Sequence, residues 1–166
     1  MIFIGIDPGI TGAIAEIDPY GYVVLRDTPT IEIKKGNKTK IDYAPLQMAA
    51  FLDGFASTRI PTTSICHVFI EKVGAMPKQG VTGMFGFGKG FGMWLGILAA
   101  FKIPYTLVTP QAWKKELMQG MADKDASRIR AQQLFPNCVG ELSRKKDIGR
   151  ADALLIAEYG RRVYKT

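Results

Sequence analysis

Three short apolar strands with almost nothing between them open this chain, and they constrain its architecture more than any other feature. Met1–Ile6, Ala13–Ile17 and Tyr22–Arg26 read as strands. The first connection turns at Pro8-Gly9 and carries Gly12. The second is Asp18-Pro19-Tyr20-Gly21, where proline presets one backbone angle and glycine accepts a positive one. Parallel neighbours need a crossover of about a dozen residues or more, so these strands must pair antiparallel.

Beyond them the pattern alternates. Residues 27–43 hold Lys34, Lys35, Lys38 and Lys40 around Gly36-Asn37 and read as a basic loop flanking a short edge hairpin. Ala44–Phe55 spaces its apolar residues as an amphipathic helix, and Ile65–Glu71 reads as a buried strand. Seven glycines lie between Gly74 and Gly92, and the apolar run FGMWLGILAAF that follows reads as a buried helix ending near Lys102. Tyr105–Val108 reads as a strand. Thr109-Pro110 suits a helix start, threonine capping and proline opening the first turn. Asp123–Phe135 and Arg150–Val163 read as helices. The expected fold is α/β: one mixed five-stranded sheet, three antiparallel strands and then parallel ones, with helices on both faces, in a single domain over residues 1–166.

Charge narrows the partners. Lysine and arginine exceed aspartate and glutamate by 22 to 15, a net charge of +7 that favours polyanions. Cys66 and Cys138 cannot build a disulfide scaffold and no CxxC pair exists, so a reducing cytoplasm is the expected setting. The apolar start stops at Asp7 with no basic residue before it, and no apolar run approaches the ~18 residues of a membrane span. Neither a signal peptide nor a membrane partner is expected.

The acids carry the chemistry. Asp7 ends the first strand on the face of Phe3 and Gly5, with glycines after it that leave room for a ligand. Glu71 ends the strand Ile65–Ile70. If those two strands are parallel neighbours, both carboxylates stand at one carboxyl edge, about 4.8 Å between strands, close enough to share a cation. Asp152 lies on the face of Leu155, Ile156 and Tyr159 in the last helix and points inward, where a carboxylate needs a partner or a metal. Asp147 could reach the same place across Gly149, or be a solvated loop acid beside Lys145 and Lys146. Carboxylates gathered at one point repel, and all-oxygen ligation suits Mg²⁺ or Mn²⁺, one or two per site. Such a centre on a basic protein points to hydrolysis of a nucleic-acid phosphodiester.

GIDPG at 5–9, VFIEKV at 68–73 and GRADALLIAEYGRR at 149–162 resemble the RuvC-type Holliday-junction resolvases of the ribonuclease H-like superfamily. The resemblance follows the element order over essentially the whole chain, and the glycine-rich segment resembles phage-encoded members. It implies a homodimer that makes paired nicks in four-way and other branched DNA junctions with Mg²⁺ or Mn²⁺. By motif, Asp7, Glu71 and Asp152 match the family's acids. The family's usual fourth ligand, Asp or His three residues before the last acid, falls on Gly149, a departure that Asp147 could take over.

Gly83–Lys89 nearly spells a phosphate-binding loop, but Gly90 replaces the required Ser or Thr. The segment reads instead as a DNA-contacting loop, with Lys78 and Lys89 on phosphates and Gln79, Phe85 and Phe87 bonding or stacking at an opened junction. A glycine loop whose phenylalanines pack on the core is the equal alternative. Arg144, Lys145, Lys146 and Arg150 form a second candidate phosphate cluster beside the acids. Trp94, Leu95, Leu98 and Ala99 fit either a dimer contact or a core helix, and His67 reads as structural. Two other functions fit the same residues: a nuclease for flaps or RNA–DNA hybrids, and a non-catalytic junction-binding module.

Overall fold

The computed structural model describes residues 1–56, 66–72, 74, 80–121 and 125–164. The strands are β1 (Ile2–Asp7), β2 (Ala13–Ile17), β3 (Val23–Asp27), β4 (Thr30–Lys35), β5 (Lys38–Tyr43), β6 (Cys66–Glu71) and β7 (Tyr105–Val108). The helices are α1 (Pro45–Ala56), α2 (Val81–Ala100), α3 (Pro110–Leu117), α4 (Ala126–Leu134) and α5 (Ile148–Val163), with 3₁₀ turns over Pro136–Leu142 and Lys145–Asp147. Five strands form one sheet in the order β3-β2-β1-β6-β7, antiparallel across β3-β2-β1 and parallel across β1-β6-β7. This is the sheet the sequence predicts. β4 and β5 pair only with each other, as a separate hairpin.

Strand alternation splits the core in two. Ile4, Ile6, Ile14, Val68 and Ile70 face α1 and α2, where they bury Met48, Leu52, Trp94 and Leu98. Ala13, Ala15, Ile17 and Phe69 face α3, α4 and α5. Trp94 and Leu98 are fully buried, which settles them as core residues.

α5 presses hardest on the sheet. A methyl group at Gly5 would lie 2.0 Å from the carbonyl oxygen of Ala153 and 2.5 Å from the amide of Ala157. Backbone thus meets backbone where β1 crosses α5, and buried Ala151, Ala153 and Ala157 keep the helix thin enough to sit there. This contact brings the first turns of α5 beside the end of β1.

One expectation is corrected. The stretch Gly83–Lys89 is not a loop; helix α2 runs through it from Val81. Met84, Phe87, Phe91, Trp94 and Leu98 recur every three or four residues and give the segment one apolar stripe. Packing that stripe outweighs the poor helix propensity of its glycines.

Candidate active site

Asp7 is the last residue of β1, and its Oδ1 accepts the Gly9 amide at 3.1 Å. The chain then doubles back over it. A methyl group at Gly12 would stand 2.2 Å from the Asp7 carbonyl oxygen and 2.8 Å from its Cγ, so only glycine closes this turn. β6 runs parallel to β1 with Ile6 opposite Ile70, and the next step of each strand is Asp7 and Glu71. Glu71 Oε1 accepts the indole N–H of fully buried Trp113 at 2.9 Å, which fixes one carboxylate oxygen. Asp152 comes in from α5. Its carboxylate takes a hydrogen bond from Ser127 of α4, while Oδ1 is buried with no partner among the described residues.

Asp7 and Asp152 respond to burial and to the charges around them. The Asp7 carboxyl is raised to about 7: burial is the largest cause, the Gly9 amide and Lys114 work against it, and the charges of Asp152 and Glu71 add to it. Burial likewise raises Asp152 to about 6, opposed by Ser127 and Lys114 and assisted by Glu71. Lys114 of α3 therefore opposes the charge of both aspartates, and its Nζ stands 5.1 Å from the centroid of the Trp113 ring. Among the described residues no three of His, Cys, Asp and Glu stand close enough to cage a metal ion. The arrangement is instead an open, all-oxygen edge that carries an unpartnered buried oxygen and protons held at unusually high pH. Those properties fit a hard divalent cation that keeps several water ligands.

Asp147 goes elsewhere, which corrects the expectation that it joins the other acids. It is 2% exposed, and Arg144 holds it through the backbone amide at 2.8 Å and the guanidinium at 2.8 Å. That pairing keeps its carboxyl below the usual range, and its charge does not figure among those acting on Asp7 or Asp152. Nor can position 149 carry a ligand. A methyl group at Gly149 would lie 2.2 Å from the Thr11 carbonyl oxygen.

The candidate DNA-contacting residues divide. Lys78 and Gln79 lie outside the described residues. Phe85 is 76% exposed on α2, and Phe87 approaches the Asp7 turn, where a methyl at Gly9 would meet its ring at 3.8 Å. Lys89 is committed to Asp42, with both carboxylate oxygens at 2.7 Å. Arg144 is held by Asp147, and Arg150 by Asp27 at 2.9 Å. Lys145 and Lys146 are exposed and make no salt bridge among the described residues. His67 bonds Thr106 at 2.9 Å and stacks near Phe69 and Tyr164, a structural role. Sequence reasoning missed Ser127 and gave Lys114 no place beside the acids. The tryptophan–lysine pair after a capped helix start was the available signal for Lys114, but sequence does not reveal that α3 begins at the carboxyl edge of β7.

A mixed sheet in this order, with acids ending its two central parallel strands and a third on the closing helix, is a ribonuclease H-like fold of the RuvC type. RuvC of T. thermophilus in complex with a Holliday junction substrate superposes with a TM-score of 0.60 and 17% identity, over 98% of this chain and 96% of that one. A second Thermus thermophilus RuvC structure gives 0.53 at 15% identity, with the same coverage. In sequence, 69 residues, 41% of this chain, are 42% identical to the chloroplastic Holliday junction resolvase MOC1 of Chlamydomonas reinhardtii. That match spans 8% of the algal protein, far less than two thirds of its length. No family model matches the chain.

Proposed function

We propose that this chain is a metal-dependent endonuclease that resolves four-way DNA junctions by paired phosphodiester hydrolysis. The observation that carries this reading is that Asp7, Glu71 and Asp152 stand at the open edge of a RuvC-type sheet, where the charges of Glu71 and Asp152 raise the Asp7 carboxyl and that of Glu71 raises Asp152. The name of the algal relative and the bound substrate of the structural neighbour support the choice of a junction.

Asp7, Glu71 and Asp152 would hold Mg²⁺ or Mn²⁺, one ion or two, which supplies Lewis acidity and a water activated near neutral pH. The chain's own groups prepare that edge. The Gly9 amide, the Trp113 indole and Ser127 each fix one carboxylate. Lys114 lowers the cost of holding the aspartates ionised and offers a cation to an approaching phosphate. The +7 chain supplies the attraction that the acids alone would oppose. Paired nicks call for two such centres, so we propose a homodimer; sedimentation of the free protein tests it, a monomer at all concentrations being the contrary result.

The test of activity is cleavage of a synthetic four-way junction beside linear duplex, a flap and an RNA–DNA hybrid, with Mg²⁺, Mn²⁺ or EDTA. Symmetric junction nicks that vanish in EDTA and in Asp7→Asn are expected. Equal or better cutting of flaps or hybrids would replace the junction with a broader branched substrate. Tight junction binding without cutting under either metal would reduce the protein to a binding module.

A further inference from the structure

We propose that the β4–β5 hairpin is a second nucleic-acid contact, an arm that grips the phosphate backbone of a duplex running away from the cleavage site. The proposal rests on the junction reading above and adds a surface to it.

The hairpin lies outside the main sheet, and its charges are sorted along its length. Glu32 and Asp42 lie toward the base, while Lys34, Lys35, Lys38 and Lys40 lie toward the Gly36-Asn37 tip. The cross-strand register pairs Lys34 with Thr39, Lys35 with Lys38, Ile33 with Lys40, Glu32 with Ile41 and Ile31 with Asp42. No lysine faces an acid, although opposite charges across a pair would stabilise the hairpin and like charges weaken it. A hairpin selected only for its own stability would place these charges the other way.

Asp42 at the base is held from the other side. Both oxygens of Asp42 are 2.7 Å from Lys89 of α2. Lys34, Lys38 and Lys40 are exposed and make no salt bridge among the described residues. A two-stranded ribbon with three exposed ammonium groups outside any salt bridge among the described residues matches a polyanion that supplies opposite charge.

Attachment links the hairpin to the site. Tyr43, the last residue of β5, is buried, and its hydroxyl donates to the Pro8 carbonyl at 3.3 Å, one residue beyond Asp7. Gly90 on α2 admits the Tyr43 ring, for a methyl there would lie 2.2 Å from its Cζ. Five residues of strand separate Tyr43 from Lys38, about 17 Å at strand rise. That is the length of about five base pairs of duplex. An apolar groove of ≈ 280 Å³ lies between the hairpin and α2, with Ile10, Ile41, Phe85 and Phe87 on its walls. The hairpin and the phenylalanines thus flank one path toward Asp7.

The experiment is junction binding with Ca²⁺ in place of Mg²⁺, titrated from 50 to 200 mM salt, for the wild type, K34Q/K38Q/K40Q and K34R/K38R/K40R. Each lost phosphate contact lowers the slope of log K against log salt by about 0.9. The glutamine variant should lose about 2.7 from the slope, so its affinity falls about 40-fold less than wild type over that salt range. The arginine variant should keep the wild-type slope. A glutamine variant that melts like wild type and keeps its salt slope would overturn the proposal. If the wild type binds the junction but never cuts it with Mg²⁺ or Mn²⁺, the nuclease reading fails, and the slope still decides the hairpin.

Discussion

Helices α5 and α2 cover opposite faces of the sheet, and both contain glycine for opposite reasons. In α5 the glycines are filled space. Gly149 sits against the Thr11 carbonyl oxygen, and Gly160 is so close to the Phe69 ring that a methyl would lie 2.2 Å from its Cδ2. In α2, only Gly90 is packed this way; Gly83, Gly86, Gly88, Gly92 and Gly96 have nothing within 4 Å of an added methyl. Glycine in a helix interior costs about 1 kcal/mol relative to alanine. α5 accepts that cost to bring Asp152 up to β1. α2 carries it at five glycines with no packing return, on the side where Phe85 is exposed and Phe87 nears the Asp7 turn. The acid-bearing side of the molecule is built for close fit, and the other side for a helix held mainly by its apolar stripe.

The comparison can be broken by measurement. The largest effect is expected where α5 delivers chemistry: Asp152→Asn should cut junction cleavage about 10²-fold or more while leaving the protein folded, measured in single turnover. Unimpaired cleavage would remove α5 from the active site. Next is Gly149→Ala, whose methyl cannot enter without moving backbone. It should cost about 3 kcal/mol in a urea titration, and an unchanged midpoint would show that α5 is not pinned at Thr11.

A pH dependence follows from the raised carboxyls. Asp7 at about 7 and Asp152 at about 6 hold protons in the folded state that the unfolded chain releases near the ordinary aspartate value of 3.8. The folded state therefore binds more protons between those values, and stability from these groups is greatest below about pH 4 and declines toward pH 7. Melting of the metal-free protein should fall over that window, and Asp7→Asn should flatten the fall. A melting temperature that rises instead would mean the carboxylates are paired by something else. The smallest effect belongs to α2. Gly88→Ala and Gly92→Ala should each stabilise by about 0.5–1 kcal/mol, because nothing occupies the space of the new methyl. Destabilisation there would mean that α2 is packed as tightly as α5.

Much of this architecture was legible. The short gaps after β1 and β2 force antiparallel pairing, and the apolar run before Glu71 marks a central strand, so the sheet and the placement of Asp7, Glu71 and Asp152 follow from local pattern. The segment Gly83–Lys89 misled because glycine content argues for a loop, while the stripe from Met84 to Leu98 is satisfied only against α1 and the sheet. Asp147 misled for a different reason. Sequence distance placed it near Asp152, but a 3₁₀ turn points its carboxylate at Arg144. Lys114 and Ser127 reach the site through long-range packing of α3 and α4, which no local pattern records.

Gly149 also bears on how such a site can change with time. An acid at that position would need the Thr11–Gly12 turn to move first, and Gly12 is itself locked against the Asp7 backbone. A fourth carboxylate is therefore two coupled rearrangements away rather than one substitution.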